Sequence, residues 1–255
     1  MGLLVAGARS TGTTGQSDYG SIRLEKSFLT VPAWTASWMV TFIAGHPEWK
    51  QRIAEEVRTL LSHHSTEDCD RTIADKMAAI PLEAWENKTP VMDQIIREVL
   101  RLAQPHTAMR RNMGPETYLD GTRIPSGAYV VYPFGDIHLN PDLYPDPWAF
   151  KPDRPERKLP LEYVGWGGGM YHVNIAGENL EANRFFTGKT ICMGQRLAKL
   201  QLKILTALML STMDFELVDK AGRMPHPLPQ PNWNDALTCK PPSGSCYLQF
   251  VRVTP

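Results

Sequence analysis

Gly188-Lys189-Thr190-Ile191-Cys192-Met193-Gly194 runs straight into a stretch, Met193 to about Met213, in which Leu197, Leu200, Ile204, Leu205 and Leu208 recur at helical spacing. A cysteine therefore stands at the entrance of a long helix with a broad apolar face. A thiolate there faces unpaired backbone N–H groups and the positive end of the helix dipole. The glycine two residues later lets a flat, bulky partner approach the backbone closely. The other cysteines, Cys69, Cys239 and Cys246, make no C-x-x-C pair with it or with one another, so any cysteine chemistry rests on this one thiol. Cys239 and Cys246 are close enough to meet across a terminal hairpin, but reduced thiols are the expectation for a cytosolic chain.

Upstream of the cysteine lies a proline-rich meander. The chain has 21 prolines in 255 residues against a usual ~5%, and they concentrate between Pro81 and Pro160. Asn140 to Pro160 shows no periodicity, so its order has to come from packing against something else. Within it, Phe150-Lys151-Pro152-Asp153-Arg154 offers an arginine, and His138 just before it is expected to pack in the meander. Farther upstream, Glu98-Val99-Leu100-Arg101 places two opposite charges three residues apart on the face of a helix covering about Val91 to Ala103, whose inner side carries Ile95, Val99 and Leu102. Taken alone this is an ordinary exposed pair contributing a few tenths of a kcal/mol. If the meander folds back, Arg154 meets Glu98, and a buried carboxylate with two arginines is tolerated only when fully paired.

Between these segments the period changes to that of strands. Tyr118-Leu119 and Thr122-Arg123-Ile124 flank Asp120-Gly121, a two-residue hairpin signal, and Gly127 to Tyr132 follows, which together read as one small antiparallel sheet. Near the front, an apolar run from Phe28 to Ala44 stops at Gly45-His46-Pro47, and Trp49, Ile53, Val57 and Leu60 form one face of the next helix. His63 to Ala74 reads as an acidic, solvated linker whose paired His63-His64 lacks a third metal ligand. Met193, Met209 and Met213 read as helix-core residues, and Phe215 to Val253 returns to strand-like segments. Met1 to Glu25 is small, polar and without periodicity, so residues 1–28 are read as an unstructured or miscalled leader and 29–255 as the folded part.

Composition excludes several classes. Twenty-seven basic residues balance twenty-seven acidic ones, without the cationic excess that a nucleic-acid partner selects. The longest apolar stretch, Trp38 to Ala44, is interrupted by Thr41 and falls well short of the ~20 residues of a transmembrane helix. The amino terminus lacks the basic flank of a signal peptide and the Ser or Thr of a myristoylation signal, which predicts a cytoplasmic chain. The glycines from Gly165 to Gly169 are not followed by Gly-Lys-Ser/Thr, so they are not a phosphate loop.

Glu-x-x-Arg, then Phe-x-Pro-x-Arg, then Gly-x-x-x-Cys-x-Gly leading into a helix, in this order, resemble the carboxy-terminal half of a cytochrome P450 of the fungal type. The corner at His46-Pro47, the run Asp136-Ile137-His138 with Tyr144-Pro145-Asp146-Pro147, and Ala198-Lys199-Leu200 add to the match, which covers about Leu29 to Val253. The resemblance implies a mainly α fold with a small β component, a partial cytochrome P450 fold. It implies a heme-thiolate monooxygenase with heme b whose iron takes the Cys192 thiolate as axial ligand, flanked by Gly188 and Gly194. A small organic substrate is oxidised with O₂, and NADPH acts only indirectly, through a cytochrome P450 reductase. Glu98, Arg101 and Arg154 match the family's structural network, and Arg111 is the candidate partner of a heme propionate, with Arg110 as runner-up. Full-length members of the family are typically anchored in the endoplasmic reticulum membrane, and against that pattern the chain reads as truncated at its front. The competing reading is a non-catalytic pseudoenzyme fragment or interaction module that holds no stable heme.

The departures from the family pattern are as informative. Thr190 stands where a basic residue usually precedes the cysteine. Counting back from Pro47 puts Val31 at the position of the oxygen-activating threonine, with Thr30 and Thr35 out of register and Ala6-Gly7 too far upstream. Most distinctive, Leu161 to Gly169 already opens a cysteine loop with Trp166 as its aromatic residue, and Met170 to Gly188 then intervenes. Without those nineteen residues the chain reads Trp-Gly-Gly-Gly-Lys-Thr-Ile-Cys-Met-Gly. Residues 170–188 are therefore read as a translated, unspliced intron, since Gly169-Met170-Tyr171 accommodates a GTATGT donor and Thr187-Gly188 an AG acceptor. The alternative is a true loop insertion.

Overall fold

The computed structural model describes residues 33–64, 72–104, 106–156, 162–167, 192, 194–235, 239–241 and 247–252. Helix α1, residues 33–45, buries Trp38, Met39, Val40, Phe42, Ile43 and Ala44. Two of its hydroxyls bond back one turn, Ser37 to the Ala33 carbonyl and Thr41 to that of Ser37, both at 2.8 Å, so neither of these leaves an unpaired donor. His46 stands outside the helices, and Pro47, whose missing N–H costs nothing in a first turn, opens α2 (Pro47–His64). Trp49, Ile53, Val57 and Leu60 are its buried stripe, as the spacing predicts.

His63 and His64 belong to the last turn of α2 rather than to a linker, a place where the negative helix end suits imidazole. Ile73 and Ala74 likewise open α3 (Ile73–Ala78), which is fixed by a capping box between Thr72 and Asp75. The short α4 (Leu82–Asn87) buries Ala84 and Trp85. Then comes α5 (Pro90–Leu102), with Pro at its start and Ile95, Val99 and Leu102 buried. Its first free amides are met by a side chain from another helix: the Glu56 carboxylate accepts from Val91 N–H at 2.6 Å and Met92 N–H at 2.9 Å. Burial nevertheless raises the Glu56 carboxyl above its ordinary value, outweighing those two bonds.

The β residues form two separate ribbons here, not one sheet. Strands β2 (Thr117–Leu119) and β3 (Thr122–Ile124) make the expected hairpin, with Asp120 at φ 47° and Gly121 at φ 73°, the pair of positive φ values that a type I′ turn requires. Strand β4 (Tyr129–Pro133) pairs antiparallel with β1 (Thr107–Arg111), which the sequence did not reveal. Both faces of that ribbon are largely exposed, so Thr107-Ala108-Met109-Arg110-Arg111 carries no period-2 alternation to read. A five-residue helix, α6 (Phe134–His138), follows directly.

Helix α7 (Gln195–Thr212) has 18 residues, the same length as α2, so it is not uniquely the longest. Its fully buried stripe is Leu202, Lys203, Thr206 and Ala207, rotated from the expected face. Leu200, Ile204 and Leu208 only lean on the core, and Leu205 is 46% exposed. The shift is explained by Lys203, whose ammonium is neutralised inside by Asp93 Oδ2 at 2.9 Å and donates to the Trp85 carbonyl at 2.9 Å. Met213 is not helical: it opens β5 (Met213–Val218) and is exposed, while Met209 is half-buried against the core and Met193 lies outside the described residues. Strand β5 pairs antiparallel with β6 (Tyr247–Arg252). Cys239 is buried, and burial and then Asp235 push its thiol up to about 12, while Cys246 lies outside the described residues. The core is shared by α1, α2, α5 and α7, with Phe150 of the meander stacked on Phe42. Among the described residues no helix is long and apolar enough to cross a membrane.

Candidate functional site

The charges spaced three apart on α5 are not a surface pair. Glu98 is 3% exposed and Arg101 1%, and they face each other through two parallel bonds, Arg101 Nε to Oε2 at 2.9 Å and Nη2 to Oε1 at 2.8 Å. The meander folds back onto them: Arg154 Nε and the Lys151 N–H both donate to Glu98 Oε1, at 3.1 and 3.0 Å. The remaining Arg101 donors reach main-chain carbonyls of His138, Pro147 and Ala149, so all five of its N–H groups are satisfied. Arg154 holds the carbonyls of Pro145, Asp146 and Ala149 in the same way. Among its described residues the proline-rich segment has turns but no strand ladder, and this network holds its carbonyls instead.

From the meander the contacts lead toward the cysteine. Tyr144 donates to the Glu162 carbonyl at 2.6 Å, and Tyr163 to that of Arg97 at 3.2 Å. His138, fully buried, accepts the Val164 N–H on Nε2 at 3.0 Å. Burial first, and then the Arg101 charge, lower its pKa to about 3, so the ring is neutral. Val164 begins a turn closed by the Gly167 N–H on its carbonyl at 2.9 Å, with Gly167 at φ 85°. The Trp166 carbonyl then accepts the Cys192 N–H at 3.0 Å. The residues that the sequence assigns to the two ends of one cysteine loop thus lie side by side across the intervening segment. Residues 170–188 themselves, with Gly188, lie outside the described residues.

Cys192 is exposed, and its carbonyl accepts the Gln195 N–H at 3.1 Å as α7 begins. Gly194 is the N-cap and offers no side-chain acceptor to the first-turn amides. A pocket of about 620 Å³ opens beside the cysteine, with Arg196, Lys199 and Lys203 of α7 facing Glu86 of α4 and Asp93 of α5. It is an ion-paired seam: Arg196 pairs with Glu86, its Nη2 donating to Oε2 at 3.0 Å, and Lys203 pairs with Asp93. Arg111 does not line it. Arg111 is exposed on β1, with Nε on the Gly127 carbonyl at 3.1 Å and its guanidinium 5.5 Å from the Tyr129 ring centroid. Arg110, the neighbour on the same strand, points to the opposite face, so the two cannot serve one ligand together.

The donor set fits a heme rather than a bare ion. Among the described residues no three His, Cys, Asp or Glu side chains converge on one point, as chelating an ion would require. An iron that arrives with its equatorial nitrogens needs only one protein donor, and a single exposed thiol such as that of Cys192 would meet that need. The apolar side of α7 that starts beside it, with Leu197 half-buried and Leu205 exposed, is the kind of surface a flat ring covers. The ion-paired pocket is not. The expected threonine position, Val31, and Thr30 lie outside the described residues, and Thr35 sits in α1. Sequence reasoning overlooked Lys203, because a lysine on an apolar helix reads as its solvent side; His138 is buried in the packing expected of it, but nothing local announces its bond to Val164.

The family model described as cytochrome P450 matches residues 32–246. Among curated proteins, the chain is 30% identical over 194 residues to cytochrome P450 monooxygenase AacuE of Aspergillus aculeatus, covering 72% of this chain and 35% of that one. It is 33% identical over 188 residues to cytochrome P450 monooxygenase claM of Passalora fulva, covering 72% and 32%. The chain thus spans about a third of the length of these relatives. Among solved structures, retinoic acid-bound cyanobacterial CYP120A1 superposes with a TM-score of 0.61 at 21% identity, over 92% of this chain and 45% of that one, a likeness of fold.

Proposed function

The chain belongs to the cytochrome P450 family, and on that premise we propose that it carries the thiolate side of a heme-dependent monooxygenase. Membership implies a heme cofactor, an organic substrate and a redox partner. Cys192 is the axial ligand in this reading, binding through Sγ, with Gly194 leaving the helix entrance open to the ring. Thiolate-ligated heme supplies the reductive activation of O₂, with electrons that come from NADPH through a reductase. Glu98, Arg101 and Arg154 touch none of the reacting atoms. They hold the meander, and through it the stretch beside Cys192, in one arrangement. In this reading the exposed Arg111 of β1 is assigned to a propionate, with Arg110 on the other strand face as the alternative.

The observation that supports this reading is the Cys192 N–H on the Trp166 carbonyl, which sets the cysteine at the entrance of α7 beside the turn 164–167. The test is to load the full chain with heme, reduce it and add carbon monoxide. A Soret band at the position of a thiolate-ligated heme is expected, and Cys192→Ala must abolish it. A folded chain that takes up no heme overturns the reading. That outcome supports the second one, a non-catalytic form, which is favoured by the nineteen residues that separate Gly169 from Lys189 inside the loop.

A further inference from the structure

His138 occupies an unusual position between the two halves of the site. Its main-chain carbonyl accepts from Arg101 Nη1 at 2.7 Å, so it is tied to the Glu98 network. Its ring reaches the segment next to the cysteine, where Nε2 takes the Val164 N–H. The ring is stacked on Tyr163, 5.2 Å between centroids at 26°, and lies edge-on to Tyr144 at 6.5 Å. Tyr144 and Tyr163 also bind this segment, but through Glu162 and through the Tyr163 side chain itself, before the turn starts. Among the described hydrogen bonds, that of His138 is the one by which a side chain holds the turn 164–167, whose Trp166 carbonyl in turn accepts the Cys192 N–H.

We propose, resting on the reading of Cys192 as axial ligand, that His138 is a positioning residue: its Nε2, accepting the Val164 N–H, anchors the turn 164–167 and thereby sets where the Cys192 backbone delivers the thiolate. A packing role alone needs only a flat ring of this size. The positioning role needs an acceptor at Nε2, because a buried amide left without one loses its partner and gains no water. Neutrality comes from the surroundings, since burial and the Arg101 guanidinium both oppose a second ring proton.

The test separates shape from acceptor in the full chain. His138→Phe keeps a ring without an acceptor, whereas His138→Gln puts a carbonyl oxygen near the place of Nε2. Amide hydrogen exchange is measured on the heme-free protein. The natural chain should protect the Val164 amide. His138→Phe should speed its exchange about 5- to 30-fold while leaving Pro90–Leu102 unchanged, and His138→Gln should restore protection. In the heme-loaded protein, His138→Phe should shift the ferrous carbon monoxide spectrum from the thiolate toward the thiol form, and His138→Gln should return it. A Val164 amide that exchanges freely in the natural chain overturns the proposal, even if the Phe variant fails to fold. So does unchanged exchange in a folded Phe variant, or a folded Gln variant that restores nothing. If the natural chain protects Val164 but takes up no heme, the ligand reading fails while the anchor on the turn stands. If the thiolate band survives in both variants with exchange unaltered, the anchor falls and the ligand reading stands.

Discussion

Removing residues 170–188 tests how the cysteine loop is closed. The Cys192 N–H and the Trp166 carbonyl are bonded at 3.0 Å although 26 positions separate them; with the nineteen residues deleted and Gly169 joined to Lys189, the separation is 7. Bringing the ends of a flexible loop together costs about (3/2)RT ln n, so shortening n from 26 to 7 should lower the cost by about 1 kcal/mol. The expected gain is entropic, with the described contacts left as they are. Urea unfolding should therefore show a higher midpoint with an unchanged slope, because the slope reports the surface exposed on unfolding. Replacing 170–188 by nineteen Gly and Ser residues, which keeps length and discards sequence, should unfold like the natural chain. A deletion that lowers both midpoint and slope would refute the reasoning, since it would mean that the nineteen residues bury surface of their own. The same deletion bears on origin: a mature transcript that joins the codons of Gly169 and Lys189 identifies the segment as an intron.

The buried network predicts that Arg101→Leu costs about 3–5 kcal/mol, because it strands the Glu98 carboxylate without its closest partner. Arg123→Ala, which breaks the exposed pair with Glu116, should change the urea midpoint by less than the equivalent of about 1 kcal/mol, and equal losses in the two variants would refute the distinction. Acid should unfold the protein partly through His138. Its folded pKa lies near 3 against an ordinary 6.5, so the unfolded chain binds the extra proton first. The stability this site contributes is complete above about pH 6.5 and falls by about 1.4 kcal/mol per pH unit as the pH drops toward 3. His138→Gln should flatten that part of the curve, and an unaltered slope in the variant would count against a neutral buried ring.

The parts legible in the sequence are those that neighbours within one turn decide. Gly45-His46-Pro47 ends one helix and starts the next because of what glycine and proline do to their own backbone. Asp120-Gly121 turns the hairpin for the same kind of reason. The order of Glu98, Arg101, Arg154 and Cys192 along the chain was enough to point to the family, since each motif is short and its spacing is read directly. Strand β1 and the rotated face of α7 escaped, and for one reason: a ribbon exposed on both faces and a stripe containing Lys203 do not show hydrophobic periodicity, which is the signal such reading depends on.

Sequence alone thus determined which residue types are available, where the backbone must turn, and that one cysteine precedes a helix. Only the tertiary structure decided that Glu98 is buried with every Arg101 donor used, that Lys203 is neutralised by an aspartate more than a hundred residues away, and that His138 links this network to the turn beside Cys192. The physical reason is that a charge or an amide declares nothing locally about its burial. The cost of removing it from water is met by partners that other segments supply, and those partners are set by how the chain packs rather than by the residues next to it.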